Sequence, residues 1–258
     1  MMRSVISTVL FFVAFSVSGA LGLAAQVPPN EDWRTLETTH FRVTYPADLE
    51  SVARRAGEFA ERAHEALSDR FVDPPEGPIE LLVTDHDDQS NGFANALPFN
   101  RITVFVRPPT EGYNATHFDD WLELVITHEL VHVFHLDRTG PLGNAVRSVL
   151  GRSSADWPAF PGYDLPAWIG EGMATYYESV LTGAGRVNGT FHDMVLRTAV
   201  LEDQFEGPGQ VSGLSPNWPA GIRAYAYGTS FLDYMLTEYG EERLGDFVNG
   251  VSRQLIPW

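Results

Sequence analysis

Trp121-Leu122-Glu123-Leu124-Val125-Ile126-Thr127-His128-Glu129-Leu130-Val131-His132-Val133-Phe134-His135 is the stretch on which the reading of this chain turns. Residues four apart on a helix differ by about 40° in azimuth and about 6 Å in rise, so His128 and His132 face the same way and can chelate one ion. Glu129 sits one position along, close enough to meet a water on that ion without being a ligand itself. Trp121, Leu122, Leu124, Val125, Ile126, Leu130, Val131, Val133 and Phe134 make the helix apolar nearly all round, as expected of a buried element. Such a helix must account for two imidazoles and a carboxylate. Histidines satisfied in a structural core are one account; a single metal ion covers all three groups more economically. Neutral imidazole with carboxylate suits zinc.

A hydrolytic zinc site takes three protein ligands and leaves a fourth position open. His135 lies on nearly the same face as His128, but about 10 Å away along the axis, too far to share its ion on an unbroken helix. The sequence also lacks the His-x-x-Gly-x-x-His continuation that bends such a chain. Glu171, in Trp168-Ile169-Gly170-Glu171-Gly172-Met173-Ala174, is the better third ligand. Pro166 suits the opening of that helix. Gly170, Gly172 and Ala174 leave one side thin, which lets a carboxylate reach a metal on the neighbouring helix. Glu178, seven residues on, returns to the same face, either to orient a ligand histidine or as a solvated side chain. Asp119 and Asp137 flank the first helix, Asp119 as a charge complementing the helix dipole.

Outward from these helices the pattern divides. Phe41 to Tyr45, Ile79 to Thr84 and Ile102 to Val106 read as strands bounded by proline and glycine. Apolar residues recur at helical spacing from Leu49 to Leu67. From Phe118 onward the periodicity is helical, over 118–137, 143–150, 166–183, 190–203, 222–239 and 241–253. Strands followed by helices predict an α+β domain, with a sheet lobe over about 35–137 and a helical lobe over about 138–258.

The two motifs together resemble the gluzincin metallopeptidases, specifically the peptidase MA-like domains related to the M1 aminopeptidases. The resemblance covers roughly residues 35–253 and implies a thermolysin/M1-like zincin fold with a small mixed sheet. It implies a zinc metallopeptidase with ligands His128, His132 and Glu171 and Glu129 as general base. A Tyr-x-x-Gly segment downstream supplies an oxyanion-stabilising tyrosine in such enzymes. In Tyr225-Ala226-Tyr227-Gly228 the matching residue is Tyr225, with Tyr227 as the fallback and a core role open for either. The resemblance also implies that a strand within Gly92 to Val106 borders the site. The Gly-x-Met-Glu-Asn segment that recognises a free amino terminus is absent, and Gly92-Phe93-Ala94-Asn95-Ala96 has no acidic residue in its place. Endopeptidase and aminopeptidase action therefore both stay open. Arg223, near Tyr225, is read as a surface arginine, with a substrate carboxylate as the other candidate partner.

The net charge of −17 over 258 residues repels phosphates and excludes a nucleic-acid partner. A peptide or protein substrate is the expected partner. Residues 1–25 read as a signal peptide: Arg3, the apolar run Val5 to Val17, then small residues through Ala25. Secretion or export to a periplasm follows, with membrane attachment only if that segment is uncleaved. The chain has no cysteine, so export here brings no disulfide framework. The mature part is expected at 26–258. The apolar end Gln254 to Trp258 suggests a downstream domain, a β-propeller in secreted relatives of this kind. A non-catalytic zinc-containing binding or assembly module attached to that domain, and a purely structural zinc protein, are the competing readings. Asn114-Ala115-Thr116 and Asn188-Gly189-Thr190 match the glycosylation triplet, although Gly189-Thr190 more simply starts a helix.

Overall fold

A computed structural model describes residues 30–71, 73–110, 117–153, 156–207, 209–212 and 217–253. The expected signal peptide, the Asn114 triplet and the terminal Gln254 to Trp258 lie outside these residues. The chain divides into Met1–Asp32 and Trp33–Trp258; the architecture is that of the second unit.

Five strands form one mixed sheet: β1 (Trp33–Glu37), β2 (Phe41–Pro46), β3 (Ile79–Thr84), β4 (Gly92–Asn95) and β5 (Arg101–Phe105), in the order β1-β2-β3-β5-β4. β2, β3 and β5 run parallel, while β1 and β4 pair antiparallel at the two ends. In β2 the alternation works as the sequence implies: Phe41, Val43 and Tyr45 are buried and Arg42 is exposed. Helix α1 (Glu50–Ser68) lays a stripe of Ala53, Ala56, Ala60 and Ala63 into the same core. β1 was not expected, because an edge strand with only Leu36 half-buried carries almost no apolar alternation.

Helix α2 (Trp121–Leu136) carries both histidines of the first motif and packs against α1, β4 and β5. Ile126, Leu130, Val131 and Val133 are fully buried. Its N-cap is Asp120, whose Oδ1 accepts from Leu122 N at 3.0 Å. Asp119, exposed, stands just before that cap, at the N-terminal end where its charge was expected. At the other end Asp137 is buried: Oδ1 accepts from Arg147 at 3.0 Å and Arg152 at 2.6 Å, and Oδ2 from Asn100 at 2.8 Å. Arg147 belongs to α3 (Pro141–Leu150), which this network fastens to the end of α2.

Four further helices complete the described chain: α4 (Ala167–Thr182), α5 (Thr190–Leu201), α6 (Arg223–Tyr239) and α7 (Glu241–Ser252). α4 packs on α2 on one side and on α6 on the other. Its glycines divide between the two contacts. A Cβ at Gly170 would lie 3.6 Å from His135 Nδ1, in ordinary contact, so Gly170 faces α2. A Cβ at Gly172 would lie 2.5 Å from the carbonyl carbon of Gly228, so Gly172 serves the α6 crossing. The thin side expected to face the metal helix is thus shared between two neighbours. The whole is a mixed α/β arrangement, a small mixed sheet with a helical region beside it.

Candidate metal centre

α2 and α4 bring three ligand atoms together. Nε2 of His128 and Nε2 of His132 are 3.2 Å apart, and each lies 3.4 Å from Oε2 of Glu171. Four ligands held tetrahedrally at zinc–nitrogen and zinc–oxygen bond lengths are separated by about 3.4 Å, so this triangle fits one face of such a site. Glu171 Oε2 is buried without a hydrogen-bond partner, an orphan acceptor that a cation would satisfy. Among the described residues these three form a metal-capable cluster.

The electrostatics ask for positive charge at the same point. Burial and Arg186 oppose protonation of His128, yet the adjacent carboxylates of Glu171 and Glu178 raise its pKa to about 9. Burial likewise opposes ionisation of Glu171, but the two imidazoles hold its carboxyl well below the usual carboxylate range. A bound cation would take the part played by that extra proton.

Around the triangle the second layer is ordered. Glu178 is 0% exposed, and its Oε2 lies 2.7 Å from Nδ1 of His128. An ionised carboxylate only accepts, so Nδ1 carries a proton, and Nε2 would offer its lone pair to a cation that displaced the second one. Arg186 grips Glu178 with Nε at 2.7 Å and Nη2 at 2.6 Å. Against burial, that cation lowers the Glu178 pKa to about 2. Arg186 gets there because α4 ends on Gly183 in the left-handed region and the chain turns back through Gly185, also at positive φ. Nothing in the sequence reading singled Arg186 out. The available signal was a carboxylate, Glu178, that needs a cation if it is buried, followed by two glycines that return the chain over it.

Glu129 is buried beside the triangle, and burial raises its pKa against the pull of His128 and His132. β4 runs tightly past it: a Cβ at Gly92 would come within 2.7 Å of Glu129 Cγ and Val125 Cγ2. Tyr225, from α6, stacks on His128 at 6.3 Å and 25°, with the Arg186 guanidinium 4.9 Å from its ring centre. Burial and then the Glu171 carboxylate push its phenol pKa well up. All of these residues line one cleft of about 920 Å³, together with Gly92, Phe93, Ala94 and Tyr163.

The likeness is to longer proteins, an LTA4 hydrolase and an M1 zinc metallopeptidase. Yeast LTA4 hydrolase in complex with bestatin is similar over 85% of this chain and 33% of its own, with 16% identity and a TM-score of 0.49. An M1 zinc metallopeptidase from Deinococcus radiodurans is similar over 86% of this chain and 44% of its own, with 19% identity and a TM-score of 0.45. This chain therefore spans between a third and under half of those proteins. No family model and no curated protein matches it.

Other candidates fall elsewhere. Tyr227 belongs to a second apolar cluster with Val195, Val211 and Ala226, its ring 4.9 Å from Phe205, and it does not line the cleft. His135 is buried on the cleft wall outside the triangle; burial lowers its pKa to about 3 and neither ring nitrogen has a hydrogen-bond partner. Arg223 is not a surface residue. It is 2% exposed and pairs with Glu206, Nε at 2.5 Å and Nη2 at 2.6 Å, which ties the loop before α6 to that helix. Both of its expected settings, solvent and substrate, are replaced by that ion pair.

Proposed function

We propose that the chain is a secreted or periplasmic zinc-dependent metallopeptidase with Glu129 as its general base. One observation carries the reading: three ligand atoms at tetrahedral spacing, beside a buried carboxyl, on the wall of an open cleft. When held by His128, His132 and Glu171, zinc supplies a Lewis acid that activates water and polarises a carbonyl.

The remaining work belongs to the chain's own groups. Glu129, its carboxylate made more basic by burial, accepts the proton of the attacking water and passes it to the leaving amine. Glu178 keeps the proton of His128 on Nδ1, and Arg186 holds Glu178 in place. Tyr225 keeps its phenolic proton through neutral pH and can donate it in a hydrogen bond to the developing oxyanion. A peptide or protein substrate lies along β4, paired with its backbone. Export is supported by Arg3, the apolar Val5 to Val17 and the small residues before Gln26.

The test is Glu129→Gln in metal-loaded protein. Zinc content by elemental analysis should be unchanged, while peptide hydrolysis falls by about 10²-fold or more, the range for loss of a general base. A variant that still turns over peptides at the wild-type rate would remove the assignment.

A further inference from the structure

β4 is an edge strand, and its free edge faces the cleft. Phe105 N donates to Asn91 O at 3.1 Å, and Gly92 is in register with Val104. Hydrogen-bonded and non-bonded pairs alternate along an antiparallel ladder. Asn91, Phe93 and Asn95 therefore bond to β5, and Gly92, Ala94 and Ala96 turn their backbone groups to the free edge. The three outward positions differ. Gly92 N donates to Asn91 Oδ1 at 3.0 Å, leaving its carbonyl available. Ala94 meets β5 with neither group.

Ala96 is fully occupied. Its N–H donates to the hydroxyl of Tyr163 at 3.0 Å, and its carbonyl accepts from Arg152 Nε at 3.1 Å. Tyr163 in turn donates to Asn95 Oδ1 at 2.9 Å, which also accepts from Leu97 N at 2.8 Å. The short turn Pro161–Asp164 that carries Tyr163 is fastened to the end of α2, since a Cβ at Gly162 would lie 2.8 Å from His135 O. It forms a bar from α2 to the end of β4. The cleft lining on that side includes Leu136, Gly162, Tyr163, Leu165 and Pro166, all uncharged.

We propose that Tyr163, bonded to Ala96 and Asn95 and backed by Arg152, closes one end of the substrate cleft and makes the enzyme an exopeptidase that reads length rather than terminal charge. The inference rests on the hydrolytic reading of the site. Gly92 lies against Glu129, where the bond is cut, and Ala96 stands four residues further along the strand. At the strand rise this is about 13 Å, room for no more than about three extended substrate residues on that side. Asn95 and Tyr163 are uncharged and spend their polar groups on each other and on the backbone. Arg152 is held by Ala96, Asn100 and Asp137, and among the described residues no Asp, Glu, Lys or Arg side chain lines that part of the cleft.

The experiment digests long peptides of mixed sequence, with termini either free or blocked by acetyl and amide groups, using the zinc-loaded wild type. Products are sequenced by mass spectrometry. Fragments of one to three residues from a single terminus, blocked or free, support the proposal. Tyr163→Ala removes the bar and should release fragments of four residues and longer from that terminus. Tyr163→Phe keeps the ring but frees Ala96 N–H, and should give the same change more weakly. Wild-type cleavage far from both ends overturns the proposal and leaves hydrolysis standing. Fragment lengths unchanged in both folded variants overturn the role of Tyr163. Absence of any cleavage by the zinc-loaded wild type overturns the hydrolytic reading and this inference with it.

Discussion

Glu178 accepts from His128 on one side and from a buried guanidinium on the other. Glu178→Gln preserves the shape but removes the charge. It should weaken zinc binding by about 10- to 100-fold, the usual effect of losing a group that orients a metal ligand. Competition against a zinc-binding dye measures this, and an affinity equal to wild type would rule it out. At this scale the sequence was legible where spacing alone fixes direction. His128 and His132 share a face because they are four apart, and Glu171 was the carboxylate on a glycine-thinned helix. Arg186 and Arg223 were not legible, because an arginine's meaning lies in its partner. Glu178 and Glu206 reach them only after the chain has turned back.

Between elements, the α4–α6 crossing is the tightest contact near the site, and it sets where Tyr225 stands relative to His128. A Cβ at Gly172 would strike Gly228, and a Cβ at Gly228 would come 2.1 Å from Trp168 O. Gly172→Ala should therefore cost about 1–3 kcal/mol, the range for overpacking. Gly245→Ala in α7 is the contrasting case. Nothing lies within 4 Å of its added Cβ, and alanine there should stabilise by up to about 1 kcal/mol. Urea unfolding of the two variants tests the pair, and equal shifts in one direction would contradict the packing argument. The glycines were visible in the sequence, but the partner of each was not. A thin helix face shows that something comes close without showing which neighbour does. The short β4 and exposed β1 were faint for a related reason: edge strands bury too little to display their period.

For the molecule as a whole, acid should be more damaging than the net charge alone suggests. Burial holds His64 and His192 neutral, each with its pKa lowered to about 4. In the unfolded chain a histidine titrates near 6.5. The unfolded state thus takes up protons that the folded state refuses. The stability from these two groups is complete above pH 6.5 and is lost as pH falls from 6.5 toward 4. The loss is on the order of 3 kcal/mol for each at most. Denaturant midpoints at pH 7 and pH 5, taken with a chelator so that metal loss does not contribute, should show the decline; a flat profile would refute it.

The Arg152–Ala96 contact has one further consequence. It joins residues 56 apart in sequence, and the whole of α2 lies between them. Closing a loop of that length costs about 3.6 kcal/mol of chain entropy. Hydrogen bonds from a charged group contribute about 1.5–3 kcal/mol each, and Arg152 makes such bonds to Ala96, Asn100 and Asp137. In a chain without cysteine, this guanidinium does what a cross-link would otherwise do. It keeps the loop bearing both histidines shut, with a clasp that can reopen reversibly.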